Sequence, residues 1–157
     1  GKTGALIAAA CEAGVYLAAG STEQRAAIRL YGENIGLAFQ IIDDLLDYQG
    51  DPDRTGKVLG NDLVEGKMTL PLIHVLRQAN PEDLRIIEAI LAAAAAEKRH
   101  RFAEAAAMIE KYDGFGYAYR KAGDLVDRGL SALVCFKGGR ERQILHGLAG
   151  SVLSRDK

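Results

Sequence analysis

Three aspartates, Asp43, Asp44 and Asp47, sit within a single helical turn's length in Ile41-Ile42-Asp43-Asp44-Leu45-Leu46-Asp47-Tyr48. On a helix, Asp43 and Asp47 at i and i+4 are close neighbours on one face. Asp44 lies ~100° further round and leans toward the same point. Three carboxylates in one turn repel each other, and the C-terminal end of a helix, where the dipole is negative, adds to the conflict. A divalent cation removes it. Magnesium takes few carboxylates and completes its shell with waters and phosphate oxygens at ~2.0–2.1 Å. A closed zinc site would need His or Cys. The plain alternative is a solvated acidic helix end. Against that, the flanks are apolar: Leu37, Phe39, Ile41, Ile42, Leu45 and Leu46. On the Asp43 face, one turn earlier, stands Gln40, and above it come Gly36 and Gly32. The two glycines read either as close helix packing or as room for a substrate tail.

The opposite charge follows at once. Lys57 and Lys67 bracket Asp62 and Glu65 in a segment that also holds Gly56, Gly60 and Gly66. Lysine is a point charge suited to phosphate oxygens, and glycine lets the backbone approach a ligand closely. A carboxylate turn followed at once by a Gly/Lys loop is what a metal–diphosphate site would look like. Each lysine taken singly reads as an ordinary surface charge.

The elements that must position these groups read as helices throughout. Ala and Leu dominate, Pro occurs three times, and no alternating β-branched run of strand length appears. A first helix is expected from about Thr3 to Ala19, closed by Gly20. A second opens at Ser21, with Gln24 as its capping-box partner, and runs to about Gln49 before Gly50 and Pro52. Its ~28 residues span ~42 Å, so it needs neighbours on more than one side. Residues 51–68 are expected as an irregular, functional loop. Helix resumes with Thr69 as cap and Pro71 in the first turn, to about Ala79. Asn80-Pro81-Glu82-Asp83 starts another. Later helices are expected at about 98–112, 114–135 and 140–154, with Ala92–Ala96 either helix or a junction.

Composition bounds the function. The 157 residues are enough for one domain. The longest apolar run, Ala89 to Ala96, is eight residues, far below the ~18–20 of a membrane-spanning helix. With 20 basic and 21 acidic residues the net charge is −1, without the basic excess of a nucleic-acid binder. Residues 1–50 carry three basic and six acidic groups, half of that acidity being the aspartate trio. Cys11 and Cys135 are too few for a disulfide scaffold and suit a reducing, cytoplasmic setting; both read as small core residues. His74, His100 and His146 share no ligand spacing. Tyr112, Phe115, Tyr117 and Tyr119 read as core or interface residues, or as the lining of an apolar pocket.

Phe39-Gln40-Ile41-Ile42-Asp43-Asp44-Leu45-Leu46-Asp47, then Gly56-Lys57, then Gly60-Asn61-Asp62-Leu63-Val64-Glu65-Gly66-Lys67-Met68-Thr69-Leu70-Pro71, resemble the second aspartate-rich region of the trans-type isoprenyl (polyprenyl) diphosphate synthases. Gly1-Lys2-Thr3 is similar to that family's upstream Lys-Thr motif. The likeness is strong over residues 1–75 and looser beyond, where Gly114 to Leu133 and Arg155 fit the closing helices. The resemblance implies an all-α isoprenoid-synthase helical bundle. It implies transfer of an allylic prenyl group onto isopentenyl diphosphate, giving an all-trans polyprenyl diphosphate. It implies that Asp43, Asp44 and Asp47 help hold magnesium, and that Lys2, Lys57 and Lys67 contact the allylic diphosphate. Thr3 and Gln40 would lie near the carbocation, with Asp62 supporting the metal site through its surroundings. A homo-oligomer is also implied.

One departure is large. The family uses a second carboxylate cluster, and no other Asp-Asp-x-x-Asp occurs in this chain. Residues 1–157, which open on Gly1 without an initiator Met, are therefore expected to be the C-terminal part of a single helical synthase domain, inactive without an N-terminal half. A non-catalytic helical partner subunit is the alternative; a terpenoid cyclase is disfavoured by the Lys57–Lys67 loop. With half a bundle absent, the apolar faces of the first two helices are expected to be uncovered.

Overall fold

The computed structural model describes residues 2–50 and 58–155. Nine α-helices are defined among these residues: α1 Lys2–Leu17, α2 Thr22–Gln49, α3 Asn61–Val64, α4 Leu70–Gln78, α5 Pro81–Ala92, α6 Ala95–His100, α7 Phe102–Lys111, α8 Gly114–Ala132 and α9 Arg140–Leu153. A 3-10 turn, Leu133–Cys135, follows α8. No strand occurs among the described residues, so the all-α expectation holds. The helices divide into two compact units, Gly1–Ile42 with Arg120–Lys157, and Asp43–Tyr119.

Local chemistry sets most boundaries. The Ser21 amide donates to Gln24 Oε1 at 2.9 Å, and the Gln24 amide donates to Ser21 Oγ at 3.2 Å, which is the reciprocal box expected at the start of α2. Asn80 Oδ1 accepts from the amides of Glu82 and Asp83, capping α5 behind Pro81. Three expectations change. The left-handed residue that closes α1 is Ala19 (φ 55), not Gly20; the Gly20 amide donates back to the Val15 carbonyl at 2.9 Å. The helix expected at about 98–112 is two, broken at Arg101, whose φ of −94° and ψ of 12° are not helical. The loop expected over 51–68 contains the short helix α3.

In the first unit, α1 and α2 pack backbone to backbone. A Cβ added at Gly36 would stand 2.5 Å from the Gly4 Cα, and one at Gly32 would stand 2.7 Å from the Ala8 Cα. The glycine lane of α2 is therefore filled by α1, which settles the choice between packing and a tail channel in favour of packing. Ile28, Tyr31, Ile35 and Ala38 of α2, with Ala122, Val126, Ala149 and Val152, are buried. The Tyr31 hydroxyl donates to the Leu145 carbonyl at 2.7 Å, and burial first, with Cys11 adding, pushes its pKa to about 12. The Arg155 guanidinium lies 4.5 Å from the Phe39 ring centre, a cation–π contact. The outer faces are apolar and open, as expected. Leu6 and Leu17 of α1 are 72% and 84% exposed. Leu30 and Leu37, two turns apart on α2, are also exposed.

In the second unit, α4 packs on α5 and α7, α5 on α6 and α7, and α3 on α6. Leu63, Leu72, Val75, Ile87, Ile90, Ala105 and Ile109 are fully buried between them. Asp83, at the first turn of α5, accepts from Lys111 Nζ at 2.6 Å and from the Tyr112 hydroxyl. These bonds, Lys111 foremost, hold its carboxyl below the usual range. The contact ties the start of α5 to the end of α7.

Candidate metal and diphosphate site

The aspartate turn is the last full turn but one of α2, and its surroundings belong to the second unit. Tyr48, one residue on, is buried. Its ring stacks on Phe102 at 5.9 Å between centres and tilts against Phe115 at 5.8 Å. Its hydroxyl shares a 3.2 Å hydrogen bond with Thr69 Oγ1. Thr69 stands at the cap position of α4, yet its side chain caps nothing there; the hydroxyl is spent on Tyr48 instead. Burial raises the Tyr48 pKa to about 12. This aromatic pillar fixes the end of α2 relative to the start of α4.

The chain re-enters this place at Gly60. With φ 80 it adopts the left-handed conformation that suits glycine. It also lies under the Phe102 ring, so a Cβ here would meet Phe102 Cδ2 at 2.4 Å. From Gly60 the backbone turns into α3, and three successive amides meet Asp47. The Gly60 amide donates to the Asp47 carbonyl at 2.8 Å. The Asn61 amide donates to Asp47 Oδ1 at 3.2 Å and the Asp62 amide to Asp47 Oδ2 at 2.8 Å. On its outer side Asn61 accepts from Arg99 of α6 at 3.3 Å.

Lys67 then folds back. Its Nζ donates to Asp44 Oδ1 at 2.7 Å and to Asp62 Oδ2 at 3.1 Å. Asp44 is buried, with an exposure of 8%. Partial desolvation pulls the Lys67 pKa down, but the hydrogen bonds to Asp44 and Asp62 outweigh it, and the net shift is upward. Asp62 moves upward as well, because burial outweighs the help it draws from Lys67. Asp43 is half-buried and has no hydrogen-bond or ion-pair partner among the described residues.

The structure thus brings Asp44, Asp47, Asp62 and Lys67 into one network. Lys2 and Thr3, in the first turn of α1, and Gln40 of α2 belong to the other unit. Lys57 lies outside the described residues. The expected convergence of three carboxylates is not found: among the described residues no group of three His, Cys, Asp or Glu is placed to hold a metal ion. The reason is local. Both Asp47 oxygens are taken by amides, and Asp44 is turned to Lys67. The donor types nevertheless fit magnesium, a hard cation that needs only one or two carboxylates when phosphate oxygens and waters supply the rest. Tyr48 and Phe102 were not singled out from the sequence as parts of this site, and Thr69 was read there as a helix cap. Gly60 was read in the sequence as a glycine of the charged loop, where backbone can approach a ligand closely.

A family model described as polyprenyl synthetase matches residues 1–109, and the chain belongs to that family of isoprenoid-synthase helical folds. It is 39% identical over 155 residues to the short chain isoprenyl diphosphate synthase of Methanothermobacter thermautotrophicus, covering 99% of this chain and 47% of the relative. Geranylgeranyl pyrophosphate synthetase from Pyrococcus horikoshii superposes with a TM-score of 0.87 at 31% identity, covering 99% of this chain and 46% of that one. Geranylgeranyl pyrophosphate synthase from Corynebacterium glutamicum, solved with isoprenyl diphosphate and magnesium, gives 0.76 at 31% identity over 90% of this chain and 40% of that one. The chain spans about half the length of the relatives it matches. No helix among the described residues is long and apolar enough to cross a membrane.

Proposed function

We propose that this chain is the C-terminal part of a single helical domain that condenses an allylic diphosphate with isopentenyl diphosphate to give an all-trans polyprenyl diphosphate. Asp43 and Asp44 hold magnesium in this reading, and Lys67, with Lys57 and Lys2, binds the allylic diphosphate. The observation that carries it is the Lys67 ammonium, bonded to Asp44 and Asp62 beside Asp43. An ammonium has three N–H donors. Two are used by carboxylates, which aim the side chain, and the third remains for a phosphate oxygen. Magnesium held by these carboxylates would supply positive charge to the diphosphate leaving group. The lysines add donors where that leaving-group charge develops. Thr3 and Gln40 offer oxygen dipoles to the allylic cation, a role the resemblance assigns them.

The chain by itself does not transfer prenyl groups in this reading, because a single Asp-Asp-x-x-Asp occurs in it and it spans 47% of the Methanothermobacter relative. The test is incorporation of labelled isopentenyl diphosphate into acid-labile product. The 157-residue chain should give none. A longer polypeptide carrying it and a second carboxylate cluster should turn over, and Asp43→Ala in that polypeptide should lower kcat by about 10²-fold or more, the scale of lost charge stabilisation at a reacting centre. Turnover by the 157-residue chain would contradict the proposal.

A further inference from the structure

We infer that Asp47 is a positioning residue that anchors the Gly60–Asp62 backbone to α2, and not the third carboxylate of a metal site. The inference rests on reading the Asp43 turn as a metal–diphosphate site. Each of the three bonds between Asp47 and residues 60–62 goes to an amide at the start of α3. The first amides of any helix lack partners within it, and α3 has four residues, too few to be stable on its own. Its position is therefore set from outside, and Asp47 supplies that restraint through Oδ1, Oδ2 and its carbonyl.

The anchored segment sets the rest of the network. With its amide held, Asp62 presents Oδ2 to Lys67, and Lys67 reaches Asp44. Asp47 thus acts on the site through Asp62 and Lys67. The same bonds make it a poor cation ligand, since the positive ends of two amide dipoles already face its two oxygens. Asp43, a turn earlier on the same helix, carries no such bonds among the described residues.

The test combines amide hydrogen exchange of the full chain with titration of inorganic diphosphate in the presence and absence of magnesium. In Asp47→Ala, the Asn61 and Asp62 amides should exchange about fivefold faster or more, the equivalent of the ~1 kcal/mol of a lost cap; Asp43→Ala should leave them unchanged. Asp47→Asn keeps one acceptor oxygen. It should retain most of the protection and should hold magnesium-dependent affinity within about threefold, while Asp43→Asn lowers it by about tenfold or more, as loss of a charged ligand requires. Unchanged exchange in Asp47→Ala overturns the inference. So does an affinity loss in Asp47→Asn equal to that in Asp43→Asn. If Asp47→Ala loosens the amides while Asp43→Asn leaves affinity untouched, the anchoring stands and the metal reading of the turn fails.

Discussion

Replacing Gly60 by alanine tests how the candidate site is held together. Two costs arise. The left-handed backbone at φ 80 penalises a residue with a Cβ by about 1 kcal/mol. The new methyl would also stand 2.4 Å from Phe102 Cδ2. That ring cannot withdraw freely, because it stacks on Tyr48, whose hydroxyl is bonded to Thr69. Overpacking of this kind costs about 1–3 kcal/mol. Gly66→Ala is the control. Its φ is 75, but the nearest atom to an added Cβ is the mobile Lys98 Nζ at 3.5 Å, so it bears the backbone cost alone. Gly60→Ala should therefore be less stable than Gly66→Ala by about 1–3 kcal/mol. For a chain of this length that is a Tm difference of about 3–9 °C, read by thermal melting followed by circular dichroism. A double-mutant cycle with Phe102→Ala should show a coupling of similar size, because removing the ring removes the clash. Equal melting of the two glycine variants would refute the reasoning, since it would mean that Phe102 is not seated on Gly60.

Three further outcomes follow from other parts of the molecule. Gly36→Ala puts a methyl into the Gly4 backbone and should cost about 1–3 kcal/mol in urea unfolding, whereas Gly147→Ala, on the open side of α9 with nothing within 4 Å, should stabilise by up to about 1 kcal/mol. Asn80→Ala removes the acceptor for the Glu82 and Asp83 amides and should cost about 1 kcal/mol in the same assay. Asp83, whose folded pKa lies below its ordinary 3.8 chiefly through Lys111, contributes stability that is present above that ordinary value and lost as the pH falls through the folded one. The deficit of Asp83→Asn in urea midpoints should therefore be full at neutral pH and vanish in strong acid; a deficit that grows on acidification would refute the assignment.

What could be read from the sequence was local. Ser21 with Gln24, and Asn80 ahead of Pro81, announce helix starts because cap and capped amide are at most three residues apart. The Asp43–Asp47 spacing announces a charged turn because four residues make about one turn of helix. What could not be read depends on contacts distant in sequence. Thr69 has the form of a cap, but Tyr48, 21 residues earlier, claims its hydroxyl. Asp47 has the form of a ligand, but amides 14 and 15 residues later claim its oxygens. Gly32 and Gly36 allowed either packing or a channel, and only the position of Gly4 and Ala8 decides it. Nothing near Ala19 marks it, rather than Gly20, as the left-handed residue.

The central claim concerns the Asp43 turn and its lysine. Calorimetric titration of a bisphosphonate into the chain, with and without magnesium, tests that claim most directly when repeated on Asp43→Ala. Binding that requires magnesium and is lost in Asp43→Ala is the predicted result. Binding of equal strength without the metal, or undiminished in the variant, would contradict it.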